Sequence, residues 1–140
     1  MRTPKDRYVA LVVCLLVLSG GMLVYSRMVM QRIPKGEWGG THISMNVGDA
    51  SATIEYDCAH ATIDQRITLD RYGRFSVSGK QFSEHGGPVR QEDEEGRPAR
   101  FSGQVKGNSM ALKVENSATR ELIGNFVVVY GARARLFKCK

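Results

Sequence analysis

The sequence lacks the patterns that carry catalysis. It has no G-x-S-x-G elbow for a serine nucleophile and no H-x-H or H-E-x-x-H pair to seat zinc. No run of arginines interleaved with aromatics offers a nucleic-acid surface, and no N-x-S/T acceptor for glycosylation occurs. Cysteine is scarce, at Cys14, Cys58 and Cys139 only. Beyond residue 26 there is neither a long apolar run nor a convincing helical period, which argues against a second membrane span and against a helical domain. These absences imply no cofactor and no metal, and they point away from an enzyme.

What is present begins with residues 8–26, YVALVVCLLVLSGGMLVYS, an apolar stretch without a charge. As a helix it is roughly 28 Å long, close to the ~30 Å hydrocarbon core of a bilayer. Arg2, Lys5 and Arg7 form a basic lead-in. Two readings compete. Residues 9–18 form a signal h-region with Ser19, Gly20 and Gly21 as its cleavage site, or the helix continues through Met22 and Tyr25 as an anchor. Apolarity resuming after the glycines favours the anchor. Charge counts flank the stretch almost evenly, and a very short basic tail rarely needs translocating, so the C-terminal part is placed outside the cytoplasmic membrane, or secreted if cleaved. Cys14 reads as a cysteine in an apolar helix, since residues 11–13 lack the small side chains that precede a lipidated cysteine.

Removing the first 26 residues leaves 114, enough for one small domain. That part holds 17 of the 20 Lys and Arg and 13 of the 14 Asp and Glu, so it stays mildly basic. Its basic residues are scattered along the chain and read as a solvated surface rather than a patch for anionic lipid or wall polymer. Cys58 and Cys139 form an even pair in an oxidising compartment and read as a disulfide. Closing so long a loop is worth roughly 4 kcal/mol in the chain-entropy model.

Residues 27–36, with Pro34 and Gly36, read as a linker. From 37 to 140 the chain alternates. Ile43, Met45 and Val47 share a face; so do Ala52, Ile54, Tyr56 and Cys58; then Ala61, Ile63, Ile67 and Leu69. Phe75, Val77 and Gly79 follow, then Phe101, Gly103 and Val105, and then Met110, Leu112 and Val114. The longest strand carries Leu122, Gly124, Phe126, Val128 and Tyr130, and the last carries Arg135, Phe137 and Cys139. Period two marks half-buried strands, and short turns such as Gly48-Asp49 and 106–108 demand antiparallel neighbours. The fold class is all-β: an eight-stranded antiparallel meander that buries its apolar face as a barrel or a sandwich, preceded by one N-terminal hydrophobic helix.

The one long break is 83–99, SEHGGPVRQEDEEGRPA. A connection of that length is functional or disordered. Its acidic run, 92–95, reads as a solvated loop tip, because four consecutive acids lack the alternating spacing of a calcium loop. Glu84 and His85, beside Gly86, Gly87 and Pro88, are its most site-like cluster. Trp38-Gly39-Gly40 is the other unusual stretch, since two glycines let a backbone or a ligand approach closely.

Gly36-Glu37-Trp38 resembles the G-x-W start of lipocalin-like (calycin) barrels. The resemblance implies an up-and-down barrel holding a small ligand, with Trp38 at the closed end under a basic side chain from near the last strand, here Arg135. It also implies a bond tying a mid-barrel strand to the C-terminal region, as Cys58 and Cys139 would. The chain is similar as well to small exported bacterial β-domains and to the compact barrels of periplasmic lysozyme inhibitors.

The expected function is a non-enzymatic binding module of the cell envelope that meets an envelope protein or a small ligand, with no nucleic acid. Trp38, Gly39, Gly40, Glu84, His85 and Arg135 are its candidate contacts. One alternative is an inhibitor-like domain that inserts loop 84–90 into an enzyme. The other is a small hydrolytic or metal-dependent enzyme built on Glu84, His85 and a further histidine, His42 or His60.

Overall fold

In the computed structural model, residues 31–84, 87–88 and 91–139 are described, with backbone alone at 92 and 93. The expected helix of residues 8–26 and the candidate His85 lie outside the described residues. Among those that are described, no helix is long and apolar enough to cross a membrane.

Alternation builds a closed antiparallel barrel of eight strands, β2 (Gly36–Gly40), β3 (Ile43–Val47), β4 (Ala52–Tyr56), β5 (Ala59–Ile63), β7 (Arg74–Ser83), β8 (Arg97–Lys106), β9 (Ser109–Asn116) and β10 (Leu122–Tyr130). Each strand pairs with the next along the chain, and β10 returns to β2 with Val128 opposite Gly40 and Tyr130 opposite Trp38. Two short strands, β1 (Gln31–Arg32) and β6 (Thr68–Leu69), pair outside the barrel. A single turn of helix, α1 (Gln91–Glu95), interrupts the long connection between β7 and β8.

The strand count matches the expectation, but the membership differs. Gly36–Gly40, expected to lead into the first strand, is itself a barrel strand, folded back on β3 by the two-residue turn Thr41-His42. Residues 135–139, expected as the last strand, form none. They make one isolated bridge, Arg135 to Thr41, and lie on the outer wall. A closed barrel has no edge left to accept another strand, so these residues alternate against a wall instead of within it. The predicted strand 61–69 leaves the sheet after Ile63 and resumes only as β6. Part of the predicted linker also belongs to the folded unit, since Ile33 is buried.

Side chains fill the barrel. Trp38, Ile43, Met45, Ile54, Phe101 and Val128 are fully buried inside it. Burying each contributes about 1.5–3 kcal/mol. The inward Gly79 makes room for Phe101, because a Cβ there would stand 2.9 Å from the ring. Among the described residues these side chains form one continuous apolar core inside the barrel.

Candidate functional site

The two ends of the barrel are finished differently. At one end the chain plugs its own opening: Ile33, Ile67 and Leu69 are buried beneath the β1–β6 pair. Trp38 lies near this plug, its ring edge on Tyr130 with centroids 5.3 Å apart and its Nε1 donating to the Pro34 carbonyl at 3.1 Å. The other end is rimmed by the 41–42 and 57–58 turns, by residues 84, 87–88 and 91–96, and by the 117–121 turn.

A strap crosses from the plugged end to the rim. After Gly131 the chain runs outside β2, and its backbone at 132–134 lies so close to Gly39 that a Cβ would stand 2.1 Å from the Ala132 carbonyl oxygen. Glycine is therefore required at 39 by another backbone. The strap continues through Arg135, whose N–H donates to the Gly40 carbonyl at 2.9 Å and whose carbonyl accepts from His42 N–H at 2.8 Å. His42 takes a positive φ of 66° to make this turn. The strap ends at Cys139, joined to Cys58 as a disulfide with Cα atoms 5.2 Å apart, inside the usual range for such bonds. Both cysteines are exposed on the rim, not on the inner apolar face that alternation suggested.

Polar contacts reinforce the pin on both sides. Asp57 accepts the Phe137 N–H at 2.7 Å with one oxygen and meets His42 Nδ1 at 2.5 Å with the other. The Phe137 amide, then the His42 ring, holds the Asp57 carboxyl below its ordinary range. Across the disulfide, Glu84 meets His60 Nδ1 at 2.9 Å and Lys138 Nζ at 3.3 Å. Its N–H donates to the Cys58 carbonyl at 2.9 Å. His60 first, then Lys138, lowers the Glu84 pKa. Lys138 bonds Glu55 at 2.8 Å, and Glu55, then Glu84, raises the ammonium's pKa. The His60 ring also stacks on Phe82, 4.7 Å between centroids and 8° from parallel. Hydrogen bonds to the charged form favour it, and nearby opposite charges add to the effect, which accounts for all three directions.

Chemically, the rim holds two imidazole–carboxylate pairs. Each imidazole meets a carboxylate, and among the described residues neither meets a hydroxyl or a thiol. No three His, Cys, Asp or Glu side chains converge among the described residues.

At the mouth lies a cleft of about 330 Å³ lined by Gln81, Ser83, Arg97, Asn116, Glu121, Leu122 and Ile123. Leu122 and Ile123, 51 % and 40 % exposed at the register shift in β10, make an apolar lip. The Gln81 Oε1 atom is buried without a hydrogen-bond partner, and so is the Tyr56 hydroxyl, which packs its ring on Phe126 at 5.2 Å. Burial pushes the Tyr56 hydroxyl's pKa above its ordinary value, so it stays protonated. A buried polar group left unpaired costs about 1–3 kcal/mol. Such a cost is tolerated where the group meets something else.

No known protein family, curated protein or solved structure matches this chain.

The structure brings together only part of the predicted set. Glu84 lies in the rim network and Arg135 in the strap, which puts both beside the disulfide. Trp38 is inside the barrel and inaccessible. Its ring partner is Tyr130, whereas the arginine–ring contacts fall elsewhere, from Arg71 and Arg74 onto Tyr72. Arg135 is exposed on the outer wall, so the cation–π pairing implied by the resemblance is replaced by backbone bonds. Gly39 and Gly40 face the strap and the β10 backbone. Gln81 lies beyond the inward positions that alternation marks, because β7 runs on to Ser83. Extending the inward series Phe75, Val77, Gly79 by one step reaches it. Lys138 and His60 had no local signal, being 78 residues apart in sequence.

Proposed function

We propose that the chain is a non-enzymatic binding module of the cell envelope, tethered by residues 8–26 with its barrel outside, and that it binds through the open rim. The observation that carries this reading is the unpartnered Gln81 amide oxygen at the base of a cleft with an apolar lip. Such a site suits a group that donates a hydrogen bond and carries apolar surface beside it. The up-and-down barrel beginning at Trp38 supports a lipocalin-like reading of the scaffold. The filled core moves its ligand from the interior to the mouth.

The test is capture of partners from native envelope by the full-length chain and by two rim variants, Gln81→Leu and Leu122→Glu. Both variants should lose the captured species, while Lys106→Gln at the far end keeps it. Capture unchanged by the rim variants sinks the reading. The size of the recovered chain decides between signal peptide and anchor.

The enzymatic alternative draws on the His60–Glu84 pair at 2.9 Å, a separation suited to acid–base work. Against it, Lys138 occupies the other Glu84 oxygen and Phe82 covers a face of His60. The inhibitor-like alternative draws on the exposed Gly87 and Pro88, but Glu84, where that loop begins, is tied to the barrel.

A further inference from the structure

Six basic residues that are scattered in sequence lie together at one end of the barrel. Asp49 meets Lys35 as an ion pair, and the Arg66 Nε donates to its backbone carbonyl at 3.0 Å. Arg66 and Arg32 also lie close enough to lower the Asp49 pKa, after the dominant Lys35. A groove of about 500 Å³ then joins Arg32 to Gly73, Val105 and Gly107. On the far side of that groove stand Arg71, Arg74 and Lys106. Their turns are locked together, with Val105 N–H donating to the Gly73 carbonyl at 2.8 Å and Gln104 Nε2 to the Tyr72 carbonyl at 2.9 Å. Six cations, Arg32, Lys35, Arg66, Arg71, Arg74 and Lys106, thus surround one end of the barrel. Asp49, Asp64 and Asp70 are carboxylates among them, and Asp70 accepts from the Arg74 Nε at 3.0 Å.

Tyr72 is an exposed aromatic of this end, 55 % exposed, with Arg71 at 4.7 Å and Arg74 at 4.9 Å from its ring centroid. An exposed tyrosine beside two guanidinium groups matches the headgroup layer of a bilayer. The opposite rim is mixed in charge, with Glu55, Asp57, Glu84, Glu94, Glu95 and Glu121 beside Arg97, Arg120, Arg135 and Lys138.

Position decides the occupant. The basic end is also where the chain enters the barrel at Gln31, and only four residues separate it from the apolar stretch that ends at Ser26. Fully extended, they reach less than roughly 20 Å. We infer that the plugged end of the barrel is a docking face for an anionic lipid surface, with Arg32, Arg66, Arg71, Arg74 and Lys106 on the headgroups and Tyr72 among them. Docked this way, the barrel turns its strapped rim away from the bilayer. The inference does not depend on the rim binding anything.

The test uses the full-length chain with Cys14→Ser and Asn108→Cys, labelled at 108 in the turn after Lys106 with a fluorophore. It is placed in nanodiscs that carry a headgroup quencher, either wholly zwitterionic or with anionic lipid added. Quenching should be roughly threefold or more greater in the anionic discs. It should fall to the neutral level at 1 M salt, where the Debye length is about 3 Å. Arg71→Gln with Lys106→Gln should remove much of the difference, and Arg71→Glu with Lys106→Glu all of it, with near-UV circular dichroism unchanged. Chain that stays outside the discs is read by co-sedimentation with the same two lipid compositions, with the same expectation. Equal signals in both lipids overturn the inference. So does a soluble wall-type polyanion that alters the fluorescence in neutral discs as strongly as anionic lipid does, which would make the partner a polymer instead.

Discussion

The plugged end and the strapped rim are closed by opposite physics. At the plug, Ile33, Ile67, Leu69 and Trp38 exclude water, and the energy comes from apolar area. At the rim, almost every contact is polar or covalent and most are exposed: a disulfide, two imidazole–carboxylate pairs and one lysine shared between Glu55 and Glu84. Exposed ion pairs contribute little individually, so the rim depends on its sulfur bond and on the geometry that bond enforces. The comparison teaches where change is tolerated. The plug is a core and resists substitution, whereas the rim is a surface whose shape is set by one cross-link.

The sharpest way to break the contrast is at the plug. Trp38→Ala removes a fully buried ring and the bond to the Pro34 carbonyl. It should cost about 3–5 kcal/mol, measured by denaturant titration under oxidising and reducing conditions alike. A loss below 1 kcal/mol would mean that the plugged end is not a packed core.

Next comes the cross-link. Cys58→Ser opens a loop spanning a sequence separation of 81. Under oxidising conditions it should cost about 4 kcal/mol, visible as a marked fall in melting temperature, and in reductant it should cost almost nothing. Equal losses in both conditions would count against the bond.

The smallest effect sharpens the comparison by pH. Asp57 and Glu84 have folded pKa values below their ordinary ones, so their contribution is present above the ordinary carboxylate range and is lost as pH falls through the folded values. Lys138 has a raised pKa, so its contribution is present below its ordinary value and is lost as pH rises through the folded one. Hydrogen-exchange protection of the Phe137 and Cys139 amides should therefore be greatest between those limits and weaken on acidification, while the amides of Trp38 and Met45 in the core stay protected. Loss of protection in both sets at the same pH would show that the rim does not open separately.

Much of the barrel was legible before folding. The inward positions from Ile43 to Val128 followed from period-two alternation, since a strand has only two faces and one must be dry. The exceptions share a cause. Gly36–Gly40 was hidden because two glycines blur the alternation, and they are there to admit the strap and the neighbouring β10 backbone. Residues 135–139 alternate without being a strand, because a pattern of faces does not say which surface they meet. Of the candidate site, Glu84 was found from its loop, whereas Gln81, His60 and Lys138 became meaningful only through neighbours far away in sequence.

What the chain determined by itself is local: where strands run, which side chains turn inward, and that two cysteines beyond the apolar leader suit a bond. Tertiary structure alone decided that β10 closes on β2, that the tail becomes a strap, and that six cations distant in sequence meet at the plugged end. Alternation is set between neighbouring residues, but register and closure are set by packing across the whole barrel. Which distant charges meet is a consequence of that packing.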